Sequence, residues 1–324
     1  MFELVSPGLA QAVMADQAHS DAEESAIAEV LDGLVRREMF VMRVEGSAEW
    51  HRVHQLLREE LLEELRAEEG RSGINRRYLA ASGWYEGRGD VERAVHYALL
   101  ADDSERAAEL VERHALAHVD FAPWEEIALL LRRIPKALIE RRPGLLALKA
   151  NVLAEEGRLV AAEATLDRLE SVLISRGTDA SGQLRAEIDG CRAYDRYALF
   201  GAVEALPFAE AVLANSEAHA HARGNAVGAM ILGMQALGRV KEVTRFLETV
   251  PSLNTRNIGI GAAIPHVGVL FYHFIGGRYG EMAKVARMFA ERAETGSHYL
   301  REVGLSRLGT YTYYQGNPKD AEEM

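Results

Sequence analysis

Residues 84–116 read WYEGRGDVERAVHYALLADDSERAAELVERHAL. Val91, Ala94, Val95, Ala98 and Leu99 recur at i, i+3, i+4, i+7 and i+8, which predicts one apolar stripe along a helix. Asp90 stands where an N-cap carboxylate accepts from the free amides of a first turn. Asp102-Asp103-Ser104 breaks the pattern and supplies the next cap. The second helix sets Ala107, Leu110, Val111 and His114 on one face. Neither helix can bury its stripe alone, and such pairs are stable when stacked on neighbours of the same kind.

The residues that follow this pair supply such neighbours. Trp124 to Ile134 reads as a short helix stopped by Pro135. Arg142-Pro143 restarts the chain, and Leu145 to Glu156 is helical. From here glycines recur at 157, 201, 238, 277 and 316, separated by 44, 37, 39 and 39 residues. Five residues after each stands Ala162, Leu206, Val243, Met282 or Ala321. A near-constant interval holding two helical stretches predicts a helix-pair solenoid. The glycine turns the chain with positive φ, and the following residue packs the second helix onto the first. Leu308-Gly309, Tyr313, Tyr314, Gly316 and Ala321 give the nearest tetratricopeptide-like reading.

Residues 1–70 differ from this array. Ser6-Pro7 opens a helix. A second follows from about Glu24 to Arg37, with Ile27, Val30, Leu31 and Leu34 on one face. MFVMRV and WHRVH flank the polar turn EGSAE and predict a β-hairpin. A helix from His54 to about Glu68 carries Leu57, Leu61 and Leu65, with Glu59, Glu60, Glu63 and Glu64 mostly outside. Gly70-Arg71-Ser72-Gly73 predicts a break. Helix, helix, hairpin and helix are the ingredients of a winged-helix-like domain.

Composition narrows the function classes. The protein has 324 residues and a net charge of −12, which opposes long-range attraction to phosphate backbones. Cys191 is the only cysteine, so no internal disulfide can form. Between Arg256 and Arg278 no Asp, Glu, Lys or Arg occurs. Pro265 and five glycines interrupt that run, however. The apolar helix proper, Ile264 to Ile275, is too short to cross a bilayer. The N-terminus has neither a basic stretch nor a long apolar core, so it is not a signal peptide.

No catalytic constellation emerges. His114 and His118 have a metal-compatible spacing with Asp120 as a third candidate, but no HExxH order, and read as helix-end packing. His219 and His221, two apart, point to different faces and read as solvated surface. Cys191 reads as a buried small residue. Arg132-Arg133 and Arg141-Arg142 read as solvated helix ends, and Glu59-Glu60 as a solvated face. Trp50, His54 and Trp84 read as a core aromatic cluster. Gly259-Ile260-Gly261 lacks the lysine and hydroxyl of a phosphate loop, and G-x-x-x-x-G-K-[ST] is absent from the sequence.

Three stretches carry a family resemblance. Phe40-Val41 with Trp50-His51-Arg52-Val53-His54-Gln55-Leu56-Leu57-Arg58 resembles the W-Y-R-Y-H-H-L-F-R stretch of large ATP-dependent LuxR-type regulators, the MalT-like signal-transduction ATPases. His51 and Val53 replace family aromatics, and Gln55 replaces a histidine. Trp84-Tyr85, Gly89-Asp90, Ala94-Val95-His96-Tyr97-Ala98-Leu99, Asp102/Asp103 and Ala107 to Glu112 resemble the next signature. Ile134-Pro135 and Arg142-Pro143 resemble the punctuation before the family's repeats. The resemblance is strong from about Leu31 to Leu173 and looser beyond. It implies the middle of a regulator, an arm following the ATPase module plus a sensor superhelix. In such regulators a nucleotide-binding module precedes this region and a helix-turn-helix domain follows it; neither motif occurs here.

The combined expectation is an all-α protein: a helix-pair, tetratricopeptide-like solenoid preceded by a small winged-helix-like domain with one β-hairpin. The expected divisions are 1–70 (winged-helix-like), 71–142 (helical linker and first pairs) and 143–324 (superhelix, truncated at its C-terminus). The expected function is a non-catalytic sensing and interaction segment of a cytoplasmic LuxR/MalT-like regulator, without cofactor or metal. It would take a small-molecule effector or a protein partner, with self-association compatible, and would make no direct contact with nucleic acid or membrane. The alternative is a stand-alone tetratricopeptide-type adaptor. Residues six and three before each glycine share a helical face. Their polar members, Asn151, Asp195, Gln235, Thr310 and Tyr313, are the expected groove-lining residues.

Overall fold

The computed structural model describes residues 1–14, 21–37, 39–47, 49–118, 124–180, 182–249, 260–291, 298–317 and 320. Asp120, Gly259, Ala321 and Met324 lie outside the described residues. The protein divides into two compact units, Met1–Val111 and Glu112–Met324.

The first unit opens with β1 (Leu4–Val5), α1 (Pro7–Met14) and α2 (Asp21–Arg36), then β2 (Val41–Arg43), β3 (His51–Val53) and α3 (Gln55–Gly87). The Ser6 hydroxyl accepts from the Leu9 amide at 3.1 Å, capping a helix whose first residue is proline. The expected hairpin is present: β2 and β3 pair antiparallel, Val41 opposite Val53 and Arg43 opposite His51. A third strand joins it, because β1 pairs with β3 to give the order β1-β3-β2. Two residues are too few for alternation to reveal. The predicted break becomes a kink, with Gly70 at φ 66, ψ −175 inside α3.

Three expected core positions in this unit are exposed, two of them on helical stripes. Val30 is 63% exposed, since the α2 stripe runs Ile27, Leu31 and Leu34. On α3 it is Leu62, with Leu65, that packs on Ile74, Tyr78 and Ala101, while Leu61 faces out. In each helix a neighbour one residue along sits nearer the centre of the apolar arc. The pair from the opening stretch follows as α4 (Val91–Leu100) and α5 (Ser104–His118). Ala94, Val95 and Ala98 are fully buried. Asp90 caps α4 through the Arg93 amide (3.1 Å), and Asp103 caps α5 through the Arg106 amide (2.9 Å). Tyr85 anchors the aromatic cluster, stacked on Tyr97 at 5.4 Å and edge-on to Trp84 at 4.9 Å. His54 is not in that core: it is exposed, tilts against Phe40 and caps α3.

The second unit contains α6 (Trp124–Arg133), α7 (Lys136–Ile139), α8 (Pro143–Glu155), α9 (Leu159–Ser175), α10 (Gly182–Phe200), α11 (Ala202–Ala214), α12 (Ala220–Ala236), α13 (Val240–Leu247), α14 (Ile260–Ile275), α15 (Tyr279–Glu291) and α16 (His298–Tyr314). These are helical repeats in the predicted register. Gly157, Gly201, Gly238, Gly277 and Gly316 all have positive φ. At Gly238 the turn is a Schellman type, with Arg239 N on Met234 O and Gly238 N on Gln235 O, both 2.9 Å. Gly201 departs from it: at φ 94, ψ −172 it is itself the N-cap of α11, a conformation essentially reserved for glycine. Ala162, Leu206, Val243 and Met282, five residues after their glycines, are all buried. The apolar helix expected over Ile264–Ile275 begins four residues earlier, and Pro265 lies within α14. Among the described residues no helix is long and apolar enough to cross a membrane.

The first helices of successive pairs pack in the order α8, α10, α12, α14, and each second helix packs on its own first helix. Small residues permit this. A Cβ on Gly190 would lie 2.9 Å from Ala222 Cα, and one on Gly268 would lie 3.1 Å from Gly228 Cα.

Candidate functional site

Stacked first helices present equivalent faces side by side, and between them lies a cleft of about 440 Å³. Glu155 of α8, Tyr194, Tyr197 and Ala198 of α10, Asn225, Gly228 and Leu232 of α12, and Val267, Phe271 and Ile275 of α14 are among its lining residues. The size and mixed lining suit a small ligand. Ala198, Leu232 and Phe271 occupy the predicted register, three or six residues before a repeat glycine. They are the apolar members of those pairs.

The polar members lie elsewhere and do not converge. Asn151 is buried and donates to Ala147 O at 3.1 Å. Asp195 is fully buried, with Oδ2 3.6 Å from Cys191 Sγ. Gln235 donates to Tyr272 O at 3.5 Å, Thr310 donates to Ser306 O at 2.9 Å, and Tyr313 is exposed against Tyr314. None of the five is among the cleft-lining residues. Asn151 and Thr310 each bond the carbonyl one turn back on their own helix, which withdraws them from a ligand.

Charge in the cleft is acidic. Glu155 reaches solvent, yet the surrounding wall desolvates its carboxylate and raises its pKa; His221 opposes that shift and Glu125 adds to it. Burial, reinforced by Glu163, pushes Asp195 up to about 7, although its contact with Cys191 acts the other way. Burial, then Glu155 and Asp195, raise the Tyr194 phenol. Asn225 is only 7% exposed and is among the lining residues.

Sequence reasoning missed a polar pair nearby. His221, expected on a solvated surface, is 1% exposed, with Nδ1 3.3 Å from Glu187 Oε2 and its ring edge-on to Trp124 at 4.9 Å. It sits in the first turn of α12 facing α10, and a partner 34 residues earlier leaves no local trace. Arg142, expected at a solvated helix end, pairs with Glu112 at 2.6 Å. Cys191 is buried as expected, and burial raises its thiol well above the usual range. Among the described residues no three His, Cys, Asp or Glu side chains are grouped to hold a metal.

Comparison with known proteins shows what the winged-helix unit and the residues after it are similar to. Residues 1–72 match the MalT winged helix domain. The protein is 30% identical over 163 residues to the HTH-type transcriptional regulator MalT of Yersinia enterocolitica, covering 50% of this sequence and 18% of that protein. It is 29% identical over 170 residues to MalT of Serratia proteamaculans, covering 50% and 18%. It is also 30% identical over 171 residues to the serine/threonine-protein kinase PknK of Mycobacterium tuberculosis, covering 51% and 15%. Its N-terminal part thus matches a MalT-type winged helix and about half of the sequence resembles MalT-like regulators, while the matched stretch spans less than a fifth of these relatives.

Proposed function

We propose that this protein is the sensing and interaction segment of a MalT-like transcriptional regulator, and that the cleft between its first helices receives the effector or partner. The observation carrying this reading is the cleft itself. It is lined by the first helices of successive pairs, so an occupant bridges α8, α10, α12 and α14 and couples their spacing. The segment works without catalysis or a cofactor, in the cytoplasm, through tetratricopeptide-type repeats, and transmits occupancy by how these helices pack. It does not itself contact nucleic acid: the net charge is −12, and the arginines of the β2–β3 hairpin face carboxylates, Arg43 on Asp32 at 2.7 Å and Arg52 near Glu3 at 3.8 Å. The relative named as a protein kinase supports a second reading, an adaptor module not tied to transcription.

A thermal-shift screen of small metabolites tests the proposal, with Ala198→Trp as the blocked control. Ala198 is exposed in the cleft wall, so an indole there fills the cleft and spares the core. Compounds that raise the melting temperature of the wild type and not of A198W are expected. Stabilisation that survives the block would place binding elsewhere.

A further inference from the structure

The cleft combines an acidic end with aromatic walls. Glu155 is the charged residue among its lining side chains, and no lysine or arginine is among them. The helices succeed one another from α8 to α14, so Glu155 stands at one end and Phe271 and Ile275 at the other. Tyr194 and Tyr197 stand on α10, the helix next to Glu155, and their ring faces attract cations. Phe271 is different: the Arg307 guanidinium already lies 4.8 Å from its centroid, so this ring contributes apolar surface. Asn225, nine-tenths buried, is a further polar residue of the lining.

From this arrangement we propose that the cleft binds a small organic ammonium ion, with its charged nitrogen between Glu155 and the Tyr194 and Tyr197 rings and its apolar body toward Leu232, Phe271 and Ile275. The inference rests on the reading of the cleft as an effector site. A neutral occupant covering the cleft would strip water from the Glu155 carboxylate and leave it uncompensated. An anion would add repulsion, whereas an ammonium supplies both the counter-charge and a charge-assisted hydrogen bond. The raised pKa of Glu155, caused mainly by desolvation, shows that the opposing influence of His221 does not make up for the water it has lost. The volume of about 440 Å³ suits a ring with a short aminoalkyl arm.

The test is calorimetric titration of residues 1–324 at neutral pH with three matched probes, 2-phenylethylamine, 2-phenylethanol and 3-phenylpropionate. The amine is expected to bind about tenfold or more tightly than the other two, the ratio a charge-assisted bond gives. Glu155→Gln should abolish that preference without lowering the unliganded melting temperature, because it removes a carboxylate whose charge is disfavoured by desolvation; Ala198→Trp should abolish binding of all three. Equal binding of the three probes, lost in A198W, would overturn the ammonium class while leaving the effector cleft standing. An amine preference that persists in E155Q, or no binding of the amine, would also overturn it.

Discussion

Asp195 is a carboxyl group sealed inside the second unit, fully buried, with Oδ1 unbonded among the described residues and Oδ2 facing only the Cys191 thiol. Its pKa rises from 3.8 to about 7, first by burial and then by Glu163 and Glu155. The folded state therefore holds this proton more tightly than the unfolded state does. Between those two values the folded form binds more protons, so stability falls as pH rises through the window. A shift of roughly three units corresponds to at most about 4 kcal/mol lost by the time the group is ionised. Asp195→Asn keeps the shape and removes the charge. The variant should gain melting temperature over the wild type at pH above 7 and much less near pH 4; an equal difference at both would mean the carboxyl does not titrate in this range. At this scale the sequence was partly legible. Cys191 reads as buried because a lone cysteine with no base beside it has no other use. His221 and Asp195 read as surface or groove because their identity is polar; the partner of buried His221, Glu187, lies on another helix, and the Asp195 contact, Cys191, is a thiol one turn away.

At the scale of elements, glycine carries two separate messages. The turn glycines were legible through spacing, since a helix that must end and restart at a fixed interval needs a left-handed residue there. The packing glycines were not. Gly190 sits inside α10 with no periodic partner, and its role becomes visible only against Ala222, whose Cα, Cβ and carbonyl oxygen would lie 2.9, 3.0 and 3.2 Å from an added Cβ. Gly190→Ala forces α10 and α12 apart, costing about 1–3 kcal/mol by overpacking. The helix-propensity gain of about 1 kcal/mol offsets only part of this. Gly228, on α12, has open space where its Cβ would go, so Gly228→Ala should be neutral or stabilising. Opposite shifts in melting temperature for this pair are expected; a stabilised G190A would mean the two helices slide apart freely. The same geometry explains why Val30 and Leu61 were misplaced: periodicity names a face, while the depth of each residue within it depends on where the neighbouring element lies.

Over the whole molecule, the order of elements and the repeat register were readable, because both follow from local pattern. The cleft's lining includes Ala198, Leu232 and Phe271, apolar residues whose spacing to the repeat glycines is legible in the sequence, whereas which residues face a shared space depends on how neighbouring helices pack. α12 has a place that no pattern announced. It packs against α10, α11, α13 and α14, and its buried residues run from His221 to Met234 on several sides rather than in one stripe. In α13, by contrast, Val243 is the buried residue. A helix gripped on four sides can loosen only when its neighbours loosen too, so its opening approaches global unfolding of the unit. Deuterium uptake should rank accordingly, with α12 amides the last in the second unit to exchange and α13 among the first. Equal uptake in α12 and α13 would mean that the repeats open independently of this helix.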